Sequence, residues 1–191
     1  FISNPSSGKQ GYALAEAALL RGAEVALVSG PTSLTPPPGC ELIGVTSASD
    51  MADAVLCRCQ AMDIVIGVAA VGDFTPAHPS AEKLPKSAHL SLDLAPTTDI
   101  IAAVAARRRP GQVIVGFAAE THDVLAHARA KLVGKGLDLV VANDVSEAGA
   151  GFGGDDNRVT LVTADGEMAL PAGSKLVAAH GVLDWLAGRL R

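Results

Sequence analysis

Aromatic residues are scarce in this chain: one Trp, one Tyr and four Phe make up 3% of its 191 residues. With 49% of the residues hydrophobic, Ala, Val and Leu must fill the core, which suits small helices laid on a buried parallel sheet. Cysteine is scarce too. Cys40, Cys57 and Cys59 form no disulfide framework, and the Cys57-Arg58-Cys59 spacing fits neither a zinc knuckle nor a thioredoxin-type site. They read as reduced, partly buried thiols of a cytoplasmic protein. No apolar run approaches the roughly 20 residues of a membrane span, and nothing resembles a signal peptide. Excess positive charge is also missing. A net charge of −5 argues against a nucleic-acid or anionic-membrane partner. No internal repeat or second domain is visible, so residues 1–191 read as one domain large enough to bury a substantial core. The chain has no leading Met, and Phe1-Ile2-Ser3 reads as the end of a strand that begins upstream.

What is present alternates. Glu24–Ser29, Met62–Ala70, Gln112–Ala118 and Leu137–Ala142 are short apolar runs bounded by turn residues, hence buried strands. Helical spacing falls on Ser49–Gln60, with Ser49 as the expected cap, near Asp99–Arg108 and on His122–Lys135. Leu34–Pro38 is too proline-rich for either element. This βαβα rhythm predicts an α/β fold with a doubly wound, mainly parallel, Rossmann-like sheet. It changes near the end. Arg158–Thr163 and Glu167–Pro171 flank Asp165-Gly166, a carboxy-terminal β-hairpin signal. Ser174 then caps a closing helix through Arg189.

Ligands of open α/β sheets bind outside the carboxyl ends of the strands. There this chain places Asn4-Pro5-Ser6-Ser7-Gly8, Ala69-Ala70-Val71-Gly72-Asp73, Ala119-Glu120-Thr121 and Asn143-Asp144. The Ser6-Ser7-Gly8 turn runs into a helix, so its N–H groups and positive helix end suit a phosphate or carboxylate. The alternative is a plain helix cap with a close-packing glycine. The G-x-G-x-x-G fingerprint is absent, since only Gly8 and Gly11 match part of it. A phosphate loop is absent as well, because Gln10 follows Gly8-Lys9. The long polar stretch Thr75–Lys86 carries Pro76, Pro79, Pro85, Lys83 and Lys86. It reads either as solvated surface or as a mobile lysine loop over a phosphate. Phe117 is either core or a base platform. Lys131 and Lys135, one turn apart with no acidic residue at i−4, form either a solvated face or a polyphosphate contact.

Taken together these blocks resemble phosphopantothenate–cysteine ligase, the CTP-dependent bacterial enzyme of coenzyme A synthesis. The carriers are Ile2-Ser3-Asn4-x-Ser6-Ser7-Gly8-Lys9-x-Gly11, Leu27-Val28-Ser29-Gly30-Pro31, Ala69-Ala70-Val71-x-Asp73-Phe74, Glu82-Lys83, Gly116-Phe117-Ala118-Ala119-Glu120-Thr121 and Ala142-Asn143-Asp144-Val145. The resemblance runs over nearly the whole chain, and such ligases form the carboxy-terminal half of a bifunctional protein. It therefore implies a fused amino-terminal decarboxylase half that carries FMN. It also implies catalytic roles for Asn4, which holds the activated acyl group, and for Lys83, over the nucleotide phosphates. The implied nucleotide site is Gly67, Val68, Ala69, Asp73, Lys83, Thr98, Asp99, Ile100, Ile101, Phe117, Lys131 and Lys135. The implied substrate site is Asn4, Ser6, Ser7, Gly8, Ala69 and Ala70. Two departures stand out. Gly72 replaces an alanine, and Pro85 replaces a loop lysine, which removes a positive charge and stiffens the loop.

The implied chemistry suits these residue types. The carboxylate of 4′-phosphopantothenate attacks the α-phosphate of CTP, giving an acyl-cytidylate and pyrophosphate. The amine of cysteine then expels CMP. Charge gathers first at phosphorus, where Lys83, Mg²⁺ and the helix lysines stabilise it, and then on the acyl oxygen, where the Asn4 amide donates. The residues that hold Mg²⁺ are not identified. The resemblance further implies a homodimer, as does the hairpin, whose Val159, Leu161, Val162, Met168 and Leu170 exceed what one face of its own sheet buries. Two other classes stand beside the ligase. One is a nicotinamide-dependent reductase with Glu24 as its ribose acid, although Glu24 sits at the start of its strand rather than the end. The other is a non-catalytic oligomerisation domain.

Overall fold

The structure, a computed structural model, describes residues 4, 6–80, 82–83, 86, 89–120, 122–144 and 156–189, with Glu120, Asp144 and Asp156 described by backbone alone. Helix α1 (Lys9–Leu19) is followed by β1 (Ala26–Ser29), β2 (Glu41–Gly44) and α2 (Ala48–Leu56). Next come β3 (Ile64–Gly67), β4 (Phe74–Pro76), β5 (Leu94–Pro96), α3 (Ile100–Ala105), β6 (Val113–Glu120), α4 (Val124–Lys135) and β7 (Leu139–Asp144). The last elements are β8 (Asp156–Asn157), β9 (Val159–Thr163), β10 (Gly166–Ala169), β11 (Gly173–Ser174) and α5 (Lys175–Arg189).

The central sheet has the order β10-β9-β7-β6-β3. Pairs β3–β6 and β6–β7 are parallel, whereas β9 runs antiparallel to both β7 and β10. Four of its five strands therefore point one way. Alternation along β6 explains the layers, since successive strand residues face opposite sides. Val113 and Val115 join Leu139, Val141, Val159 and Leu161 against α1 and α5. Ile114 and Ala118 join Val140, Ala142 and Val162 against Val104 of α3 and Ala128 and Leu132 of α4. A sheet with helices on both faces follows, and its strands read as continuous apolar runs for that reason. Each fully buried Val or Leu here contributes about 1.5–3 kcal/mol.

Helix ends follow local chemistry. At the end of α1 the Ala23 N–H reaches the Ala18 carbonyl (3.1 Å) and the Gly22 N–H the Leu19 carbonyl (2.9 Å). That is a Schellman closure, and it requires the left-handed Gly22, at φ 80°. Gly136, at φ 64°, ends α4 in the same way.

Several expectations shift. Helix α2 is capped by Ser47 rather than Ser49. Its hydroxyl accepts the Asp50 N–H (3.1 Å) while the Asp50 carboxylate accepts the Ser47 N–H (2.9 Å), and such a reciprocal box outcompetes a lone serine two residues on. Apart from the shared end at Ser29, the ends of the four expected strands shift by one to three residues. Glu41–Gly44, too short and mixed to stand out, pairs in parallel with Ala26–Ser29. The stretch after residue 74 is not structureless throughout, because Phe74–Pro76 pairs antiparallel with Leu94–Pro96. Of the thiols, Cys57 is exposed and Cys59 is buried. The hairpin turns at Ala164–Asp165 and extends the main sheet through β7. Val159, Leu161 and Val162 are at most 1% exposed, because β9 is covered by helices on both faces. Met168, on the edge strand β10, stays 47% exposed, so most but not all of the hairpin's apolar surface is buried within one chain.

Candidate active site

The parallel register brings the carboxyl ends of β3, β6 and β7 to one edge, with Gly67 opposite Gly116 and Glu120 opposite Asp144. The turn before α1 is shaped locally. Ser6 Oγ accepts the Gly8 N–H (3.3 Å) and Ser7 Oγ the Lys9 N–H (3.4 Å). Gly8 is left-handed, at φ 72°. A Cβ there would meet nothing closer than 3.6 Å, so conformation rather than close packing calls for glycine. Helix geometry leaves the first-turn N–H groups of α1 without intrahelical acceptors, and the serine hydroxyls take two of the N–H groups at this helix start. The Asn4 amide donates to the Val71 carbonyl (3.2 Å), which joins this turn to the loop after β3.

That loop is held from its other side by Thr97. Its hydroxyl donates to the Gly72 carbonyl (2.6 Å) and its N–H to the Asp73 carbonyl (2.9 Å). Two residues on, Asp99 caps α3 by accepting the Ala102 N–H (3.2 Å). Asp99 is also the partner of Lys135, at 2.6 Å. The sequence shows no acidic neighbour for this lysine, and the fold supplies one from another helix. Lys131 donates to the carbonyl of Phe117. Burial pushes the Asp99 carboxyl up, but the Lys135 hydrogen bond, the Ala102 N–H and the charges of Lys135 and Lys131 outweigh it, so Asp99 titrates below its ordinary value.

Beneath these groups two glycines leave room for packed side chains rather than an open floor. Gly67 and Gly116 are register partners. A Cβ on Gly67 would meet Ile101 Cδ1 at 3.0 Å, and one on Gly116 would meet Leu137 Cδ1 at 2.8 Å. The Lys131 stem crosses Gly116, with Cε 3.7 Å from that position. The structure therefore gathers Gly67, Asp99, Ile101, Lys131 and Lys135, and it gathers Asn4 with the Ala69–Asp73 loop. Thr98 and Ile100 flank the Asp99 cap. Phe117 divides: its carbonyl faces Lys131, but its side chain packs with Val68 against the core under α1 and α5. The ring thus lies on the opposite face of the sheet from the lysine pair.

Lys83 is exposed between β4 and β5, and none of the contacts above reaches it. Pro85 and Thr121 lie outside the described residues. Sequence reasoning missed Thr97, Gly116 as a lysine bed, and the Val71 carbonyl. Only the Thr97-Thr98-Asp99 run carried a local signal, that of a helix start. A hollow of about 300 Å³ lies at the carboxyl ends of β1 and β2, lined by Tyr12, Ser29, Thr32 and Thr46 among others. A larger one, about 500 Å³, lies at the opposite edge among Arg108, Arg109, Trp185 and Arg189. Its arginines are already paired with Asp138, Asp63 and Asp165, and it lies away from the strand ends where ligands of this fold bind.

Fold and edge together define a Rossmann-like α/β domain that presents polar turns and a lysine pair at the carboxyl ends of parallel strands. The chain belongs to the family described as DNA/pantothenate metabolism flavoprotein C-terminal domain, whose model matches residues 1–190. It is 49% identical over 190 residues to the coenzyme A biosynthesis bifunctional protein CoaBC of Bacillus subtilis, covering 98% of this chain and 47% of that protein. It thus spans about half the length of the curated relatives it matches. The crystal structure of the C-terminal domain of a CoaBC protein superposes with a TM-score of 0.82 at 38% identity, covering 98% of this chain and 85% of that one. A Cab2 mutant in complex with phosphopantothenate-cysteine shares the fold, with a TM-score of 0.75 at 17% identity over 98% of this chain and 79% of that one. The nicotinamide reading gains nothing from these likenesses, and Glu24 lies ahead of β1 rather than at its end.

Proposed function

We propose that this chain is the ligase half of a bifunctional coenzyme A biosynthesis protein. It joins 4′-phosphopantothenate to L-cysteine at the expense of CTP, through an acyl-cytidylate, and releases pyrophosphate and CMP. The observation that carries the reading is the single polar edge. It sets the anion-binding turn of α1 and Asn4 on one side, the Asp99–Lys135–Lys131 cluster on the other, and the Asn4–Val71 bond between them. In this reading Lys131 and Lys135 contact the nucleotide phosphates, and a polyphosphate competes with Asp99 for Lys135. The α1 turn holds a substrate phosphate. Asn4, already a donor at the loop after β3, turns its amide to the oxyanion of the second step. Lys83 reaches the phosphates from the β4–β5 connection during activation. Phe117 contributes through its backbone rather than by stacking its ring.

Among the described residues no three His, Cys, Asp or Glu side chains converge. Mg²⁺ therefore fits as a companion of the nucleotide, held by phosphate oxygens and water as this ion prefers, with Asp73 exposed at the same edge. It would neutralise charge at phosphorus. The free cysteines support a cytoplasmic site of action, and among the described residues no helix is long and apolar enough to cross a membrane. FMN belongs, in this reading, to the fused decarboxylase half.

The domain is further proposed to be a homodimer. The support moves from the hairpin to the β4–β5 ribbon, where Phe74, Leu90, Leu92 and Leu94 are 44–65% exposed and three of them alternate along the chain. Light scattering checks this, and a mass near 19.3 kDa in a fully active sample would refute it. The reaction itself is tested by pyrophosphate release from CTP that requires 4′-phosphopantothenate. Release that ignores this substrate, or no release, would overturn the ligase reading.

A further inference from the structure

Lys175 is 8% exposed although it is the first residue of α5. Burial of an ammonium is costly, and the positive end of a helix is the wrong end for a cation. Its surroundings are ordered. Lys175 Nζ donates to Asn157 Oδ1 (3.0 Å), Asn157 Nδ2 donates to Gln10 Oε1 (2.6 Å), and Gln10 Nε2 returns to the Lys175 carbonyl (3.3 Å). Asn157 is itself 4% exposed. An ammonium can only donate, so it turns the Asn157 oxygen toward itself and the amide N–H toward Gln10. The orientation of Gln10 follows in turn. One buried charge thus sets every hydrogen bond of the ring.

Gln10 lies two residues past Gly8, in the first turn of α1. The ring therefore ties the amino end of α1 to β8 and to the start of α5. Two helix amino ends also meet there, and each favours an anion. We propose that Lys175 is a positioning residue for the phosphate of the pantothenate substrate, acting through Asn157 and Gln10 on the α1 turn. The inference rests on the ligase reading above and deepens it. Lys175 does not touch the reacting carboxylate. It holds the turn's N–H groups in register and favours a dianion over a neutral hydroxyl at that place.

The test compares 4′-phosphopantothenate with pantothenate by calorimetry, without CTP, in the wild type, Lys175→Gln and Asn157→Asp. The wild type should prefer the phosphorylated ligand. In Lys175→Gln that preference should fall by about tenfold, while pantothenate affinity and the KM for CTP stay within about twofold. Asn157→Asp keeps the lysine partnered by an ion pair but sets an acceptor against Gln10 Oε1. It should lose preference as well, and it keeps the test open if Lys175→Gln does not fold. A merely structural lysine would lower the melting temperature and leave the preference unchanged. That result, with normal wild-type binding, overturns the inference alone. Failure of the wild type to bind 4′-phosphopantothenate overturns the ligase reading and the inference with it.

Discussion

Replacing Asp99 by Asn separates the two tasks of that side chain. The carboxylate caps α3 and pairs with Lys135 at 2.6 Å. Asn is as good a cap as Asp, so Asp99→Asn removes the carboxylate charge, and with it the Lys135 pair and the weaker pull of Lys131, while keeping the cap. The side chains of Lys135 and Asp99 are 29% and 48% exposed, so solvent screens the pair. A contribution of about 0.5 kcal/mol, within the range for exposed ion pairs, is expected. For a domain of this size that is a fall in melting temperature of about 1–2 °C. Asp99→Ala also loses the cap and should cost about 1 kcal/mol more. A double-mutant cycle with Lys135→Met, read by urea unfolding at pH 7, isolates the pair as a coupling energy. The pH dependence has a definite sign. The Asp99 carboxyl is lowered in the folded state, so its contribution is present above its unfolded value and is lost as the pH falls through the folded one. Wild type and Asp99→Asn should therefore differ equally at pH 7 and pH 5 and converge only below about pH 4. A coupling energy of zero at low salt, or a difference that vanishes between pH 7 and pH 5, would refute the reasoning.

Three further outcomes are expected. Lys83→Gln should slow acyl-cytidylate formation, whereas Asn4→Asp should let that intermediate accumulate; single-turnover quenching distinguishes them, and equal loss of both half-reactions contradicts the roles assigned. Lys131→Ala and Lys135→Ala should each weaken CTP binding, more at low than at high salt because the phosphate contact is screened; calorimetry at two salt concentrations checks this, and unchanged affinity returns both lysines to a structural role. Gly116→Ala should destabilise the domain by about 1–3 kcal/mol, since its Cβ would meet Leu137 Cδ1 at 2.8 Å; an unchanged denaturation midpoint would show that Leu137 moves aside freely.

Much of this architecture was legible in one dimension. The apolar runs around Val65, Val115 and Val141 mark strands buried on both faces, because continuous hydrophobicity of that length has few other uses. Gly22 and Gly136 mark helix ends, since the left-handed closure has few other occupants. The Asn4–Gly8 and Ala69–Asp73 blocks announced a polar edge once the strands before them were known. Other features depended on residues far apart in the chain. Lys135 gains Asp99 only because α3 and α4 lie on the same face of the sheet, and no spacing along one helix encodes that. Phe117 has its ring on one side of β6 and its carbonyl under Lys131. Which of these meets a ligand depends on side-chain direction within a fixed register, not on residue type. The hairpin was recognisable as a hairpin, but its coverage by β7 and the helices was not, because an apolar strand looks the same at a core and at an interface. Lys175 is the clearest case. In sequence it is a surface lysine at a helix start, and only the closing of α5 over α1 and β8 buries it and gives its charge a partner to orient.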